Sequence, residues 1–314
     1  MEAKRKGAGL IITHHPVIFG GLKKLTGANY VERTVMAAVR HNIAIYAIHT
    51  NLDNVADGVN RMICDKLGIL NPSILHPKQG TLLKLATYVP EKQKEKVLNA
   101  MFRAGAGEIG NYSECSFSVN GLGTFRAGDG TDPYVGKKGV RHKESESKVE
   151  VIFESRDQHR IIAELISAHP YEEVAYDLYR LENQDNNIGA GMIGELKSPI
   201  SWKAFLKRLK TNMKADCVRH TDPAGDKVRR IAVCGGSGSF LLPQAISAGA
   251  DVLVTADFKY HQFFDAEGMI MIADIGHYES EQFTGELIIS YLRQKFPKFA
   301  LRLTAKNTNP VRYF

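Results

Sequence analysis

The sequence predicts an α/β protein: one split α/β domain, residues 1–83 and 183–314, with a ferredoxin-like α+β domain inserted at 84–182. Three observations predict it. Fully apolar, β-branched runs alternate with amphipathic helical stretches through the first 83 residues, the pattern of strands covered on both faces. Between 84 and 182 the order strand, helix, strand occurs twice within about a hundred residues, as a ferredoxin-like module requires. After 183 the first texture returns.

The elements follow in order. GLIIT (9–13) is the first strand. Asn29 and Glu32 form an N-x-x-E cap before a helix that carries Val31, Val35 and Val39 on one face. IAIYAIHT (43–50) is the next strand, and GVNRMICDKLG (58–68) the next helix, closed by Gly68. LKLATYVP, EKQKEKVLNAMFRAGAG and strands around SECSFSV and GTFRA make the first half of the insertion, followed by a polar stretch at 128–148. KVEVIFE, HRIIAELISAHP and EEVAYDLYRL make the second half, and ENQDNNIGAG (182–191) reads as the linker that leaves it. The last third holds the helix SWKAFLKRL, the strand RRIAVC, the helix FLLPQAISAGA, the strands DVLVT and MIMIADIG, and a closing helix through ESEQFTGELIISYLRQKF.

The bulk numbers narrow the function classes. The chain is 44% hydrophobic and 24% charged, the balance of a soluble globular protein. No run approaches the roughly 18 to 20 apolar residues of a membrane span, and MEAKRKGAGLIITHH has no secretory signal. Cys64, Cys115, Cys217 and Cys234 are scattered, which predicts a reducing cytoplasm rather than a zinc ribbon or a disulfide framework. The net charge of +7 is spread, apart from KKGVRHK (137–143) and KVRR (227–230). No nucleic-acid-binding motif accompanies these clusters, so a nucleic-acid partner is not expected.

Four features could carry chemistry, and all fall at strand ends or loops, where open α/β folds bind ligands. THHP (13–16) sets His14 and His15 side by side after an apolar strand, either as a packing feature or as ligands to two neighbouring metal ions. HTNLD (49–53) offers His49 and a carboxylate, Asp53, that either ligates a cation or bonds its own backbone. GHYESE (276–281) spaces His277 and Glu281 one helical turn apart, a half-site for a metal unless Glu281 serves only the helix N-terminus. Glu279 falls on another face, toward solvent or behind the ligands. GGSG (235–238) is either a tight turn or a phosphate cradle, and Lys259 and His261 of TADFKYH could meet an anionic substrate or donate a proton. Together, three imidazoles and two carboxylates exceed one tetrahedral zinc and suit two bridged ions with open positions. Their identity stays open among zinc, iron and manganese.

LIITHHPVIFGGLK (10–23), IAIYAIHTNLDNVADGVN (43–60), KLATYVPEKQKEKV (84–97), SAHPYEEVAYDLY (167–179), IGAGMIGEL (188–196), ADVLVTADFKYH (250–261) and DIGHYESE (274–281) resemble segments of one family almost end to end. That family is the dinuclear metal-centre hexameric proteins, relatives of NGG-interacting factor three, many of them labelled GTP cyclohydrolase I type 2 homologues. The resemblance implies metal ligands at His14, His15, Asp53, His277 and Glu281, and a PII/CutA-like character for the insertion. It implies a toroidal homohexamer with the metal sites facing an internal cavity. It also implies a metal-dependent hydrolase of a nucleotide-like substrate, in which GTP's imidazole ring is opened and formate released. His49, Lys259 and His261 would then position phosphate or carry protons. The other class it admits is a non-enzymatic metal-trafficking or regulatory protein. Family members usually place a helix, a Trp-Asp-Asn loop and an edge strand ahead of the HHP strand; here Met1 falls inside that helix, so a shortened N-terminus is expected.

Overall fold

The computed structural model describes residues 2–314. They divide into two compact units, one formed by the chain up to Pro77 and from Asn186 to Phe314, the other by Lys78–Asp185. The first unit begins with α1 (Glu2–Arg5), β1 (Leu10–Thr13), α2 (Tyr30–Arg40), β2 (Ala44–Ala47), α3 (Thr50–Asp53), α4 (Val59–Leu67) and β3 (Leu70–Pro77). The second unit contains β4 (Leu82–Pro90), α5 (Lys94–Arg103), β5 (Ser116–Arg126), β6 (Arg141–Glu154), α6 (Gln158–Ala168) and β7 (Tyr176–Arg180). The first unit resumes with β8 (Gly189–Ser201), α7 (Trp202–Asn212), β9 (Arg219–His220), β10 (Lys227–Ser237) and α8 (Leu242–Ser247). It ends with β11 (Val252–Ala256), β12 (Met271–Asp274), α9 (His277–Glu281) and α10 (Thr284–Lys295).

The main sheet of the first unit has the order β3-β8-β10-β11-β12-β9, and β1 pairs with β2 in a separate parallel pair. Strands β10, β11 and β12 run parallel, with antiparallel partners on either side. Side chains alternate across these strands and both faces are buried. Ile231, Val233, Val252, Val254, Met271 and Ala273 face one core with α4 and α7. Ala232, Leu253 and Ile272 face a second core with α8. The parallel strands therefore read as unbroken apolar runs, and their C-terminal ends point into the GGSG, TADFKYH and GHYESE loops.

The second unit has the order β5-β6-β4-β7, antiparallel throughout. With α5 and α6 in the β-α-β-β-α-β sequence this is ferredoxin-like topology. Its core of Leu83, Leu85, Val149, Val151 and Phe153 lies under α5 and α6, contributing Val97, Met101, Ile161 and Leu165.

Four elements depart from the sequence reading. The polar stretch 141–148 is not loop but the first half of β6, paired residue for residue with β5 up to Arg141↔Arg126; its charged side chains alternate along a solvent-exposed ladder. The stretch read as a linker already contains the start of β8, and LNPSILHP, unassigned in the sequence, is β3. On α2, Asn29 accepts the Glu32 amide at 2.9 Å as the cap motif predicts, but Val39 is 74% exposed rather than packed. The Glu32 carboxylate instead gathers the amides of Thr26, Gly27 and Ala28, tying the loop after HHP to the start of the helix.

Candidate metal centre

Three elements of the first unit deliver side chains to one point. His14 and His15 follow β1, where the Thr13 hydroxyl donates to the His15 carbonyl at 2.7 Å and turns the chain. That turn brings both imidazoles to the same side, which a straight strand would not do. Asp53 ends the short helix α3, with its backbone carbonyl held by Asn60 Nδ2 at 2.9 Å. His277 and Glu281 lie one turn apart on α9.

Glu281 Oε2 is the hub. It lies 3.4 Å from His14 Nε2, 3.2 Å from His15 Nε2 and 3.3 Å from His277 Nε2. His14 Nε2 also lies 3.4 Å from Asp53 Oδ1, and the His15 and His277 Nε2 atoms are 3.1 Å apart. The separations thus form two triads that share one oxygen. Ligand atoms around a tetrahedral ion with bonds of about 2.1 Å sit about 3.4 Å from one another. His14, His15 and Glu281 together form a group able to hold a metal ion.

Burial supports the same conclusion. Among the described residues, His14 Nδ1 and Nε2, Asp53 Oδ1 and Glu281 Oε2 are buried polar atoms without a hydrogen-bond partner. Buried polar atoms are ordinarily paired, and a cation among them would satisfy Nε2 and both oxygens at once. Burial pushes the Asp53 pKa up to about 6. Burial also opposes ionisation of Glu281, but the three imidazoles around it overcome that and hold its carboxyl well below the usual range. Glu281, and after it Asp257, raise His277 to about 9. Burial lowers His14, and Glu281 reverses the direction to a net rise. A metal ion taken up here would therefore compete with protons on His277 and His14.

Two amides of the GGSG turn are engaged within the protein. The N–H of Gly235 donates to Asn60 Oδ1 at 2.9 Å and that of Gly236 to Ser280 Oγ at 2.9 Å, so both are used inside the fold. A Cβ on Gly236, at φ 64°, would lie 2.4 Å from Glu281 Oε1. The glycine is what lets the end of β10 pass beneath α9.

The other sequence candidates divide. His49 is beside the cluster, its ring 5.4 Å from His15 and 5.9 Å from His14. Its backbone sits at φ 45°, an outlier for a non-glycine residue, with its N–H donating to the His14 carbonyl at 2.8 Å. Burial, with His15 and His14 next to it, lowers its pKa. Lys259 and His261 are exposed, and among the described residues no hydrogen bond or ion pair joins them to the cluster. The contact from TADFKYH comes from a residue the sequence reading passed over: Asp257 Oδ2 lies 2.6 Å from His277 Nδ1. The only signal in the sequence was an aspartate directly after an apolar strand, and the φ of 60° that aims its carboxylate appears only in the structure. Glu279 is not solvated either; it is buried and accepts from Asn309 Nδ2 at 3.2 Å.

Comparison with known proteins identifies relatives of the whole chain. The profile of Duf34/NIF3 (NGG1p interacting factor 3) matches residues 1–310. A protein of Halalkalibacterium halodurans named GTP cyclohydrolase 1 type 2 homolog is 39% identical over 279 residues, spanning 88% of this chain and 75% of that protein. A Bacillus subtilis protein of the same name is 38% identical over the same shares. Among solved structures, a Bacillus cereus protein related to NIF3 aligns with a TM-score of 0.83 at 34% identity, covering 100% of this chain and 85% of that one. Among the described residues no helix is long and apolar enough to cross a membrane.

Proposed function

Because the chain belongs to the Duf34/NIF3 family, we propose that it is a dinuclear-metal-dependent hydrolase acting on a nucleotide or other phosphorylated substrate, with GTP ring opening as the first candidate reaction. The observation that carries this reading is the sharing of Glu281 Oε2 between the triad with His14 and Asp53 and the triad with His15 and His277. One carboxylate oxygen serving two ligand sets is the arrangement a bridged pair needs. His14 and Asp53 would hold one ion, His15 and His277 the other, and Glu281 both. When bound, such ions supply Lewis-acid polarisation of the bond under attack and a nucleophile at neutral pH.

The chain's own residues do the rest. His49, kept neutral by burial beside the other imidazoles, is the group placed to take up a proton next to the cluster. Asp257 fixes the ring of His277 and its tautomer by holding Nδ1, which leaves Nε2 for the centre. A homohexamer is part of the same proposal, supported by the apolar side chains that the first unit exposes, Leu10, Phe19, Leu25, Val39 and Tyr46 among them.

The test is metal analysis of the purified protein coupled to a GTP assay that follows formate and a pterin product. Two ions per chain with turnover are expected. Asp53→Ala and Glu281→Ala should both lower occupancy well below that of the parent; unchanged occupancy would overturn the ligand assignment. Two ions without turnover of GTP would remove that substrate and direct the search to other phosphorylated compounds.

A further inference from the structure

The cavity beside the cluster holds groups that the proposed centre does not use. It measures about 570 Å³, within the range of small-molecule sites. His15 and His277 line it, and so do Arg219, Tyr278 and the C-terminal residues Asn309 and Tyr313. Three carboxylates also border it, and each is already engaged. Asp257 holds His277, Glu279 holds Asn309, and Asp274 accepts from the amides of Phe258 and Gly276 as well as from Arg219.

Arg219 differs from them. It donates through Nη2 alone, to Asp274 Oδ2 and to the Phe258 carbonyl, and its guanidinium carbon lies 5.3 Å from the centre of the Phe263 ring. Asp274 is 2% exposed while the arginine side chain is 55% exposed. Among the described residues Nε and Nη1 have no hydrogen-bond partner. A guanidinium carries five N–H donors in a rigid fork that matches an oxyanion. Here one end of the fork is gripped by a buried carboxylate, itself held by two amides, so the remaining donors are fixed at the cavity before any ligand arrives.

Resting on the metal-centre reading above, we infer that Arg219 anchors the oxyanion of the molecule acted on there, a phosphate or carboxylate group, with the C-terminal residues Asn309 and Tyr313 forming part of the wall of that subsite. This assigns to Arg219 the anion-holding role that the sequence suggested for Lys259 and His261. It also ties the loop carrying His277 to the anion anchor, because Asp274 holds Arg219 and the Gly276 amide together.

The experiment titrates the purified full chain with inorganic phosphate, and separately with acetate, by calorimetry, with metal content measured on every sample. Phosphate should bind the parent protein, and Arg219→Gln should weaken it by at least about tenfold with metal content unchanged. Arg219→Lys keeps a cation for Asp274 and so protects the fold; without the fork it should also bind more weakly than the parent. Tighter Arg219-dependent binding of acetate than of phosphate would identify the group as a carboxylate. Equal affinities in all three proteins at equal metal content would overturn the inference, as would a metal-loaded parent that binds neither probe. If the parent carries no metal, the centre fails separately; an Arg219-dependent loss of phosphate binding in that protein would still support the subsite, and its absence would sink it.

Discussion

Asp257 shows what a single residue adds that spacing does not reveal. TADFKYH offers an aspartate, a lysine and a histidine within five residues, and chemistry alone favours the lysine and the histidine. Backbone geometry selects the aspartate: at φ 60° its carboxylate reaches His277 Nδ1, while Lys259 and His261 remain exposed. The consequence is a pH dependence with a definite sign. His277 titrates near 9, so below that pH a metal must displace its proton, and apparent affinity should climb as pH rises toward about 9. Asp257→Asn removes one of the two groups that raise this pKa. It should move the plateau to lower pH, and it should weaken metal binding about ten- to a hundredfold through the loosened ring. Zinc titrations across a pH series check both effects, and an unchanged profile would mean that Asp257 does not orient His277. The five candidate ligands were legible because histidines and carboxylates directly after apolar strands are conspicuous. Their partners were not, because Asp257, Asn309 and Ser280 act through distances that sequence does not encode.

At the level of elements, the strands that escaped notice are those whose composition argues against a strand. β3 contains Pro72 and Pro77, residues that a central strand cannot accommodate, but β3 is the edge of its sheet and only β8 pairs with it. The start of β8 reads as linker because of Gly189 and Gly191, yet a Cβ on Gly189 would lie 2.3 Å from the His76 carbonyl of β3. Those glycines mark close approach between backbones rather than looseness. The same logic gives a prediction at the end of β10. Gly236→Ala places a methyl 2.4 Å from Glu281 Oε1 and should reduce metal occupancy sharply. Gly249→Ala is the matched control, because it shares the left-handed backbone at φ 68° but meets nothing within 4 Å. It should cost about 1 kcal/mol of stability and leave the metal in place. Equal metal loss in both variants, read by elemental analysis, would remove the steric argument.

For the molecule as a whole, the alternation of apolar strands and helices made the α/β class readable, because both faces of the β10-β11-β12 ladder are buried. The ferredoxin-like unit was readable from its doubled strand–helix–strand order, although the length of its β5–β6 hairpin was not, since a solvent-exposed ladder of charged residues carries no apolar signal. The two units have separate cores, and all five candidate ligands belong to one of them. Chelation should therefore lower one thermal transition and spare the other. A ligand present at a thousand times its Kd contributes about 4 kcal/mol to the state that binds it. Calorimetry with and without a chelator tests this, and an equal shift of both transitions would contradict it.

Pro77 and Gly189 are register partners on β3 and β8. The chain therefore leaves the first unit and returns to it within one strand spacing, about 4.8 Å. In topological terms the second unit is a side branch closed by a single ladder rung. The 108 residues from Lys78 to Asp185 could lengthen, shrink or be exchanged without changing the distance between the strand that follows Asp53 and the strand that leads toward Glu281. Such a junction frees the branch to diverge in role while the centre stays under constant geometric constraint.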